Sequence, residues 1–359
     1  MGEAPLRIGL VGCGNISSTH QESIRSHPET VALVAVCDVD EARARAVAAG
    51  TPGCQAFGEW QAMLDTRVVE AVLVCLPHAE HLPVGLAAAH AGVHILVEKP
   101  MACTPEQGRQ LVDAAERAGV TLMVAQHQRF EPTYRAVRRM IASGTLGDVF
   151  AASFECMQNM RAYAPPGHWL YDGAIAGGGI IISVAIHRID LLRFLLADEV
   201  TRVQAITGTH DPAFTNGAED LATGTLEFSK GTTVGFFTTY SAVHAPFGES
   251  FMLFGERGTV HAVPPTGSYV GPAVVAADGL PATPPIHGFS DQYTGFALVE
   301  PEPELPTSSP YANELLHFVA CCRTGARPLS DGRDNLKTLA VVDAIYRSGR
   351  TRSPVILDA

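Results

Sequence analysis

The sequence predicts an α/β protein in two parts: a doubly wound parallel sheet over residues 1–127, then an α+β domain over 128–359. Two observations carry this. Through the first 125 residues, short apolar runs alternate with helical patterns, as parallel strands covered on both faces should. Beyond them the strands change to a period of two, which suits an antiparallel sheet with one covered face.

In chain order, the expected buried strands are Leu6–Val11, Val31–Cys37, Ala71–Cys75, Val93–Val97 and Val120–Val124. Each is short, rich in β-branched residues and free of alternation. Helical patterns near 15–27, 40–49, 79–91 and 104–118 lie between them. The last has a clear start, because Thr104 offers a capping oxygen and Pro105 takes the first helical position. A helix near 131–143 opens the second part, followed by alternating strands at Phe150–Glu155, Ala222–Phe228 and Thr233–Tyr240. Residues 264–310, rich in Pro and Gly, read as a long excursion, and helices near 311–323 and 333–348 close the chain.

The bulk numbers narrow the function classes. A chain of 359 residues, 47% hydrophobic and 17% charged, is globular and long enough for two domains. Its net charge of −12 argues against nucleic acid or an anionic membrane as a partner. The eight cysteines form no CxxC pair and no ligand spacing with His, so no metal site is expected. Several lie in apolar runs, where Cys acts as a small hydrophobe; reduced thiols and a cytoplasmic location are the expectation. Residues 1–5 lack a basic, signal-like start, and no apolar run reaches membrane-spanning length.

The first strand runs into Gly12-Cys13-Gly14-Asn15-Ile16-Ser17 and then a helix. The first glycine permits a tight turn, and the second lets a pyrophosphate approach the N–H groups of the helix start. Ser17 replaces the usual third Gly or Ala. The second strand ends at Asp38, placed to accept both ribose hydroxyls and to repel a 2′-phosphate. NAD(H) is therefore favoured over NADP(H), although Arg43 and Arg45 follow nearby. Cys75-Leu76-Pro77-His78, with His81 one turn on, falls at the same sheet edge and is expected to wall the cofactor.

Glu98-Lys99-Pro100 ends the fourth apolar run. The chain has three lysines against twenty-two arginines, so a lysine here needs a reason beyond plain charge. An ammonium can transfer a proton where a guanidinium cannot. A Glu-Lys pair merely capping a strand is the simpler alternative. Further on, Gly177-Gly178-Gly179 opens a nearly all-apolar helix on which Ser183, His187 and Asp190 share one stripe at 100° per residue. Such a stripe either satisfies itself or faces a polar cavity. Asp190 is placed to accept a ring N–H of His187 and raise its basicity.

Gly12-x-Gly14, Glu98-Lys99-Pro100, Arg129-Phe130-Glu131-Pro132, Trp169-x-x-Asp172, Gly177-Gly178-Gly179 with His187, Tyr311–Phe318 and Asp331–Asn335 together resemble the glucose–fructose oxidoreductase / inositol dehydrogenase family. The resemblance spans nearly the whole chain outside 264–310. It implies an N-terminal Rossmann domain and a C-terminal domain with an open, largely antiparallel sheet, whose exposed face often builds dimers or tetramers. It also implies oxidation or reduction of a sugar or cyclitol carbinol by a nicotinamide cofactor, without metal. Lys99 and His187 then occupy the two proton-handling positions, and Pro100 matches a proline often preceded by a cis bond. One departure stands out: Ser183 occupies the place of a common aspartate, and Ala185 that of a glycine.

The expected activity is NAD-dependent hydride transfer to or from a secondary alcohol of a sugar, amino sugar or cyclitol. Gln128, Arg129, Tyr163, Trp169, Tyr171, Asp172, Ser183 and Asp190 are expected around the substrate. Gly12, Cys13, Gly14, Asn15, Ile16, Asp38, Cys75, Leu76, Pro77, His78, His81, Glu98, Lys99 and His127 are expected around the cofactor. Two rivals remain: a glycosidase that retains NAD and works by transient oxidation and elimination, and a silent NAD-sensing protein. The loss of a carboxylate at Ser183 is the support for the second.

Overall fold

The computed structural model describes residues 4–243, 248–262, 273–277 and 297–358. The chain divides into two compact units, one of residues 1–130 and 306–339, the other of 131–305 and 340–359. No helix among the described residues is long and apolar enough to cross a membrane.

The first unit is built on six parallel strands: β1 (Leu6–Val11), β2 (Val31–Cys37), β3 (Gln55–Phe57), β4 (Ala71–Val74), β5 (His94–Glu98) and β6 (Leu122–Ala125). Their order is β3-β2-β1-β4-β5-β6, a doubly wound sheet with the chain reversing direction of travel at β1. Strands β1, β4, β5 and β6 are buried almost throughout, which accounts for their unbroken apolar runs. Strand β3 and the Trp60–Asp65 helix were not expected; β3 is three residues at the sheet edge, partly exposed, with no apolar run to announce it. The helix expected near 79–91 begins as a tighter 3₁₀ turn, His78–Glu80, before His81–His90.

The domain boundary differs from the expected one. Residues 306–339 cluster with the first unit, not the second. On the Pro310–Thr324 helix, Leu315, Phe318 and Val319 join the same core as Leu10, Leu96 and Met123. Asn313 Nδ2 donates to Phe130 O at 3.2 Å, and Arg129 Nη1 donates to Leu329 O at 2.8 Å. An apolar helix face shows that it needs a partner, but not which sheet supplies one.

Among the described residues the second unit carries nine strands: β7 (Val149–Met157), β8 (Val200–Gly208), β9 (Leu221–Phe228), β10 (Thr233–Thr239), β11 (Gly248–Gly255), β12 (Gly258–Ala262), β13 (Ala273–Ala277), β14 (Ala297–Leu298) and β15 (Val355–Ile356). The order is β14-β13-β12-β11-β7-β10-β9-β8-β15, antiparallel except for the β7–β10 pair. Alternate residues bury one face, where Phe154 and Phe236 stack with centroids 5.5 Å apart. The opposite face leaves Ile206 and Phe237 exposed. Strand β8 escaped notice because a register shift between Val200 and Arg202 breaks its alternation. Within the expected 264–310 excursion, β13 and β14 are strands, while 264–272 and 278–296 lie outside the described residues.

Candidate active site

In the first unit, strand β1 delivers Gly12 to the carboxyl edge of the sheet. Its N–H donates to Cys37 O at 2.8 Å, and it holds φ +95°. A Cβ there would stand 2.2 Å from Cys75 O, so the neighbouring β4 chain leaves room only for glycine. Gly14 is different. It precedes the Asn15–Arg25 helix, caps it with no side chain, and a Cβ on it would meet nothing within 4 Å. Open space over uncapped helix N–H groups is what a pyrophosphate needs, and the site fits a dinucleotide on that ground. The two glycines therefore separate by experiment. Gly12→Ala is expected to cost about 1–3 kcal/mol in backbone strain alone. Gly14→Ala is expected to leave the melting temperature unchanged while weakening NAD at least about tenfold, the loss of a charge-assisted hydrogen bond. Thermal denaturation with NAD titration checks both.

Asp38 is buried, with Oδ2 accepting Cys13 N–H at 2.8 Å and Oδ1 accepting Asp40 N–H at 2.8 Å. Both amides fix the carboxylate while each oxygen keeps a lone pair for a ribose hydroxyl. Cys13, in the turn, is chemically quiet: burial, then the Asp38 charge, pushes its thiol up to about 12. Asn15 is exposed and Ile16 half-buried at the head of the helix.

At the end of β5, Glu98 is buried and Lys99 half-buried, and the Lys99–Pro100 peptide is cis. His20 Nε2 lies 2.8 Å from Glu98 Oε1, and Lys99 N–H donates to Glu98 Oε2 at 3.1 Å. Burial pushes the Glu98 carboxyl up, but the His20 hydrogen bond and the charges of His20, Lys99 and His127 outweigh it and hold it below the usual range. Glu98 is thus a carboxylate at neutral pH, fixed beside Lys99. Behind it, Glu314 is fully buried, with no hydrogen bond to either oxygen among the described residues. Burial, then the Glu98 charge, pushes its carboxyl well up, so it is held as the neutral acid. Tyr311 lies edge-on to His20 at 5.5 Å and stacks on His127 at 4.4 Å. Tyr311 and Glu314 entered only within the Tyr311–Phe318 motif and His20 not at all; an 11-residue amphipathic helix shows no sign that one histidine faces a distant strand end.

Some expected cofactor positions take other work. His81 is fully buried, with Nδ1 2.7 Å from Pro100 O and Nε2 2.9 Å from Leu76 O. It ties the end of β4 to the residue after Lys99 and cannot wall a cofactor. Burial pushes its pKa down against the pull of the two carbonyls. His78 is buried with its ring 5.7 Å from His81; Cys75 is buried, and Leu76 and Pro77 are half-buried.

Arg129 is also corrected. It is buried and salt-bridged to Asp334 at 2.5 Å, bracing its own unit rather than presenting itself to a substrate. Gln128 beside it is buried too.

In the second unit, the glycine run opens a backbone that is not a plain α-helix. Ile181–Ala185 is a π-helical turn, and Ile186–Leu196 continues as α-helix. The stripe reckoned at 100° per residue is therefore altered between Ser183 and His187, because a π turn uses an extra residue. Ser183, His187 and Asp190 are all buried. Asp190 Oδ1 lies 3.9 Å from Arg193 Nη1.

The start of this helix is capped from far along the chain. Glu219 Oε2 accepts Gly179 N–H at 2.7 Å, Oε1 accepts Ile181 N–H at 2.8 Å, and the Glu219 carbonyl accepts Ile180 N–H at 3.1 Å. Tyr346 Oη accepts Ile182 N–H at 3.3 Å and donates to Glu219 Oε1 at 3.2 Å. Sequence reading missed both residues, and nothing in their own neighbourhoods announces them.

The expected substrate loop is mixed. Tyr163 is exposed and Trp169 half-buried. Tyr171 is withdrawn: it is buried, donates its hydroxyl to Ala164 O at 3.0 Å and packs on Phe214 at 4.6 Å. Asp172 Oδ1 accepts Ala174 N–H at 2.9 Å and Asn216 Nδ2 at 2.8 Å, capping the short Gly173–Ala176 helix. Among the described residues no group of three His, Cys, Asp or Glu could hold a metal ion.

Comparison with known proteins agrees with this architecture. The chain is 30% identical over 357 residues to D-apiose dehydrogenase of Paraburkholderia graminis, covering 95% of this chain and 87% of that one. It is 29% identical to inositol 2-dehydrogenase of Rhizobium meliloti, covering 96% of each. The WlbA dehydrogenase of Bordetella pertussis, solved with NADH and UDP-GlcNAcA, superposes with a TM-score of 0.82 at 27% identity over 99% of both chains. Residues 6–126 match the oxidoreductase family's NAD-binding Rossmann fold and residues 134–261 the GFO/IDH/MocA C-terminal domain, and the chain belongs to this family of sugar and cyclitol oxidoreductases.

Proposed function

We propose that the protein is an NAD-dependent dehydrogenase of a secondary alcohol on a sugar, amino sugar or cyclitol, with Lys99 and His187 handling the carbinol proton. The observation that carries the reading is the end of β5, where Lys99 directly follows a Glu98 carboxylate pinned by His20. A bound dinucleotide supplies the hydride acceptor in oxidation and the donor in reduction. His187 takes the hydroxyl proton in oxidation and returns it in reduction. Lys99 hydrogen-bonds the same oxygen and stabilises developing alkoxide charge. Ser183 orients a hydroxyl without adding charge, and Trp169 and Tyr163 offer aromatic faces to the ring.

Asp38 supports NAD over NADP, since a buried carboxylate repels a 2′-phosphate. Asp38→Asn is expected to weaken NAD at least about tenfold and to narrow its advantage over NADP, as one charge-assisted acceptor is lost. Titration calorimetry with both dinucleotides checks this. The exposed face carrying Ile206 and Phe237 supports a homo-oligomer, which sedimentation tests.

The reading is tested by a panel of sugars, amino sugars and cyclitols scored for NADH absorbance, with NADP as the control. Stoichiometric NADH with one class of polyol is the expected result. Bond cleavage in a glycoside without NADH accumulation overturns it in favour of a retained-cofactor hydrolase.

A further inference from the structure

An α-helix begins with four amide N–H groups that have no partner in the helix, and the residue before it normally caps one of them with its side chain. The helix bearing His187 is preceded by three glycines, which have no side chains to offer. All four of its leading amides are nevertheless satisfied. Gly179, Ile180 and Ile181 donate to Glu219, and Ile182 donates to Tyr346.

The glycines are the space this cap requires. A Cβ on Gly178 would stand 2.1 Å from Tyr346 Oη, and one on Gly179 would stand 1.7 Å from Glu219 O. Gly178 also holds φ +151°, a conformation side chains resist. The π-helical turn begins within this grip, at Ile181, and runs to Ala185, two residues before His187. A π turn is rare and persists where its surroundings over-determine it.

We propose that Glu219, backed by Tyr346, is the positioning residue for His187: its carboxylate grips the amides that open the π-helical turn and so sets where Ser183 and His187 project. The inference rests on His187 as the proton-handling group. It assigns a function to the glycine run that the run's own sequence does not show.

The grip depends on charge. Both Glu219 oxygens accept amide N–H groups, and protonating one of them would set an O–H against a donor. Burial pushes this carboxyl up to about 7, against the amides of Ile181, Glu219 and Gly179 and the Tyr346 hydroxyl. From the Gly332–Thr351 helix Tyr346 faces it, and from the helix start the Gly179 and Ile181 amides do. Next to it in the chain, Asp220 is held by His210 N–H, Asp211 N–H and Ser241 Oγ. As pH falls through about 7, Glu219 takes up a proton and the grip loosens, so turnover gains an acid limb that belongs to Glu219.

The test compares wild type, Glu219→Gln, Tyr346→Phe and His187→Ala with the substrate found in the panel, following kcat, KM and their pH profiles. The His187 ring is titrated in parallel by NMR without substrate. Glu219→Gln is expected to lower kcat about 100-fold with KM little changed, the effect of a small misplacement of a reacting group. Tyr346→Phe removes a donor from the carboxylate, so the acid limb should move to higher pH. The wild-type His187 resonances should show an inflection near the Glu219 titration that Glu219→Gln abolishes. An unchanged acid limb in Tyr346→Phe, together with an unchanged His187 titration in Glu219→Gln, overturns the proposal. Should Glu219→Gln fail to fold, Tyr346→Phe decides alone. Full turnover in His187→Ala instead overturns the assignment of His187, while the NMR titration still reports on the grip.

Discussion

Lys99→Met is expected to lower kcat by about 10²–10⁴-fold while NAD affinity stays near wild type. Methionine keeps the length and apolar stem of lysine and removes the ammonium, so the change isolates charge and proton from packing. The strand end should survive it. Glu98 keeps its bond from His20 at 2.8 Å and its bond from the residue-99 amide at 3.1 Å. Lys99→Arg sharpens the reading, because a guanidinium stabilises an alkoxide but cannot give up a proton at working pH. Recovery in Lys99→Arg assigns an electrostatic role; continued loss assigns proton transfer. Single-turnover hydride transfer with calorimetric NAD binding separates the two effects. Full turnover in both Lys99→Met and His187→Ala, with NAD bound, would falsify the catalytic pairing.

Arg188→Met is expected to destabilise the second unit by about 3–5 kcal/mol, because it strands a buried carboxylate. Arg188 and Glu249 are both fully buried, with Nη2 3.3 Å from Oε2. Nη1 donates to Tyr134 Oη at 3.0 Å, and the guanidinium lies 5.6 Å from the Phe251 ring centroid and 5.8 Å from that of Tyr134. Gln158 Nε2 donates to Glu249 Oε1 at 3.4 Å. With the cation gone, a carboxylate remains in an apolar interior without the charge that offset its desolvation. The double variant Arg188→Met, Glu249→Leu removes both charges and should regain most of the stability. Urea denaturation of the singles and the double measures the cycle. A loss below about 1 kcal/mol in Arg188→Met would show that the pair is neutral in place or reached by water.

Arg188 directly follows His187, which explains why the sequence was hard to read there. In Ile180–Leu196 nearly every residue is buried, polar ones included, so no amphipathic face orients the helix. The sequence marks His187 as unusual. It does not show that Arg188 is bonded across to β11, or that the helix opens with a π turn. By contrast, the first sheet was legible almost strand by strand, because its strands are covered on both faces and read as unbroken apolar runs. The strand that escaped, β3, is short and at the edge. The cofactor loop was legible for a similar reason: the positive φ at Gly12 and the helix start at Gly14 are local demands, although the close approach of Cys75 O to Gly12 comes from the neighbouring strand.

The substrate assignments fared less evenly, again for a physical reason. Tyr171, Arg129 and His81 are polar or aromatic residues near the expected site, yet each is committed to backbone or to a neighbouring side chain. Composition and spacing cannot tell a side chain that faces a ligand from one that braces the wall behind it. Both need a polar group within reach, and the difference lies in which direction that group points.

The sequence by itself determined the two kinds of sheet, the glycine turn with its acidic partner at Asp38, and the placing of Lys99 at a strand end. All are set by periodicity and turn chemistry within about thirty residues, the span of one strand–helix–strand unit. Only the tertiary structure decided that His20 fixes Glu98 across 78 residues, and that Glu219 and Tyr346, 40 and 164 residues away, cap the helix of His187. Those contacts are made by packing, which brings together residues whose own surroundings in the chain carry no trace of one another.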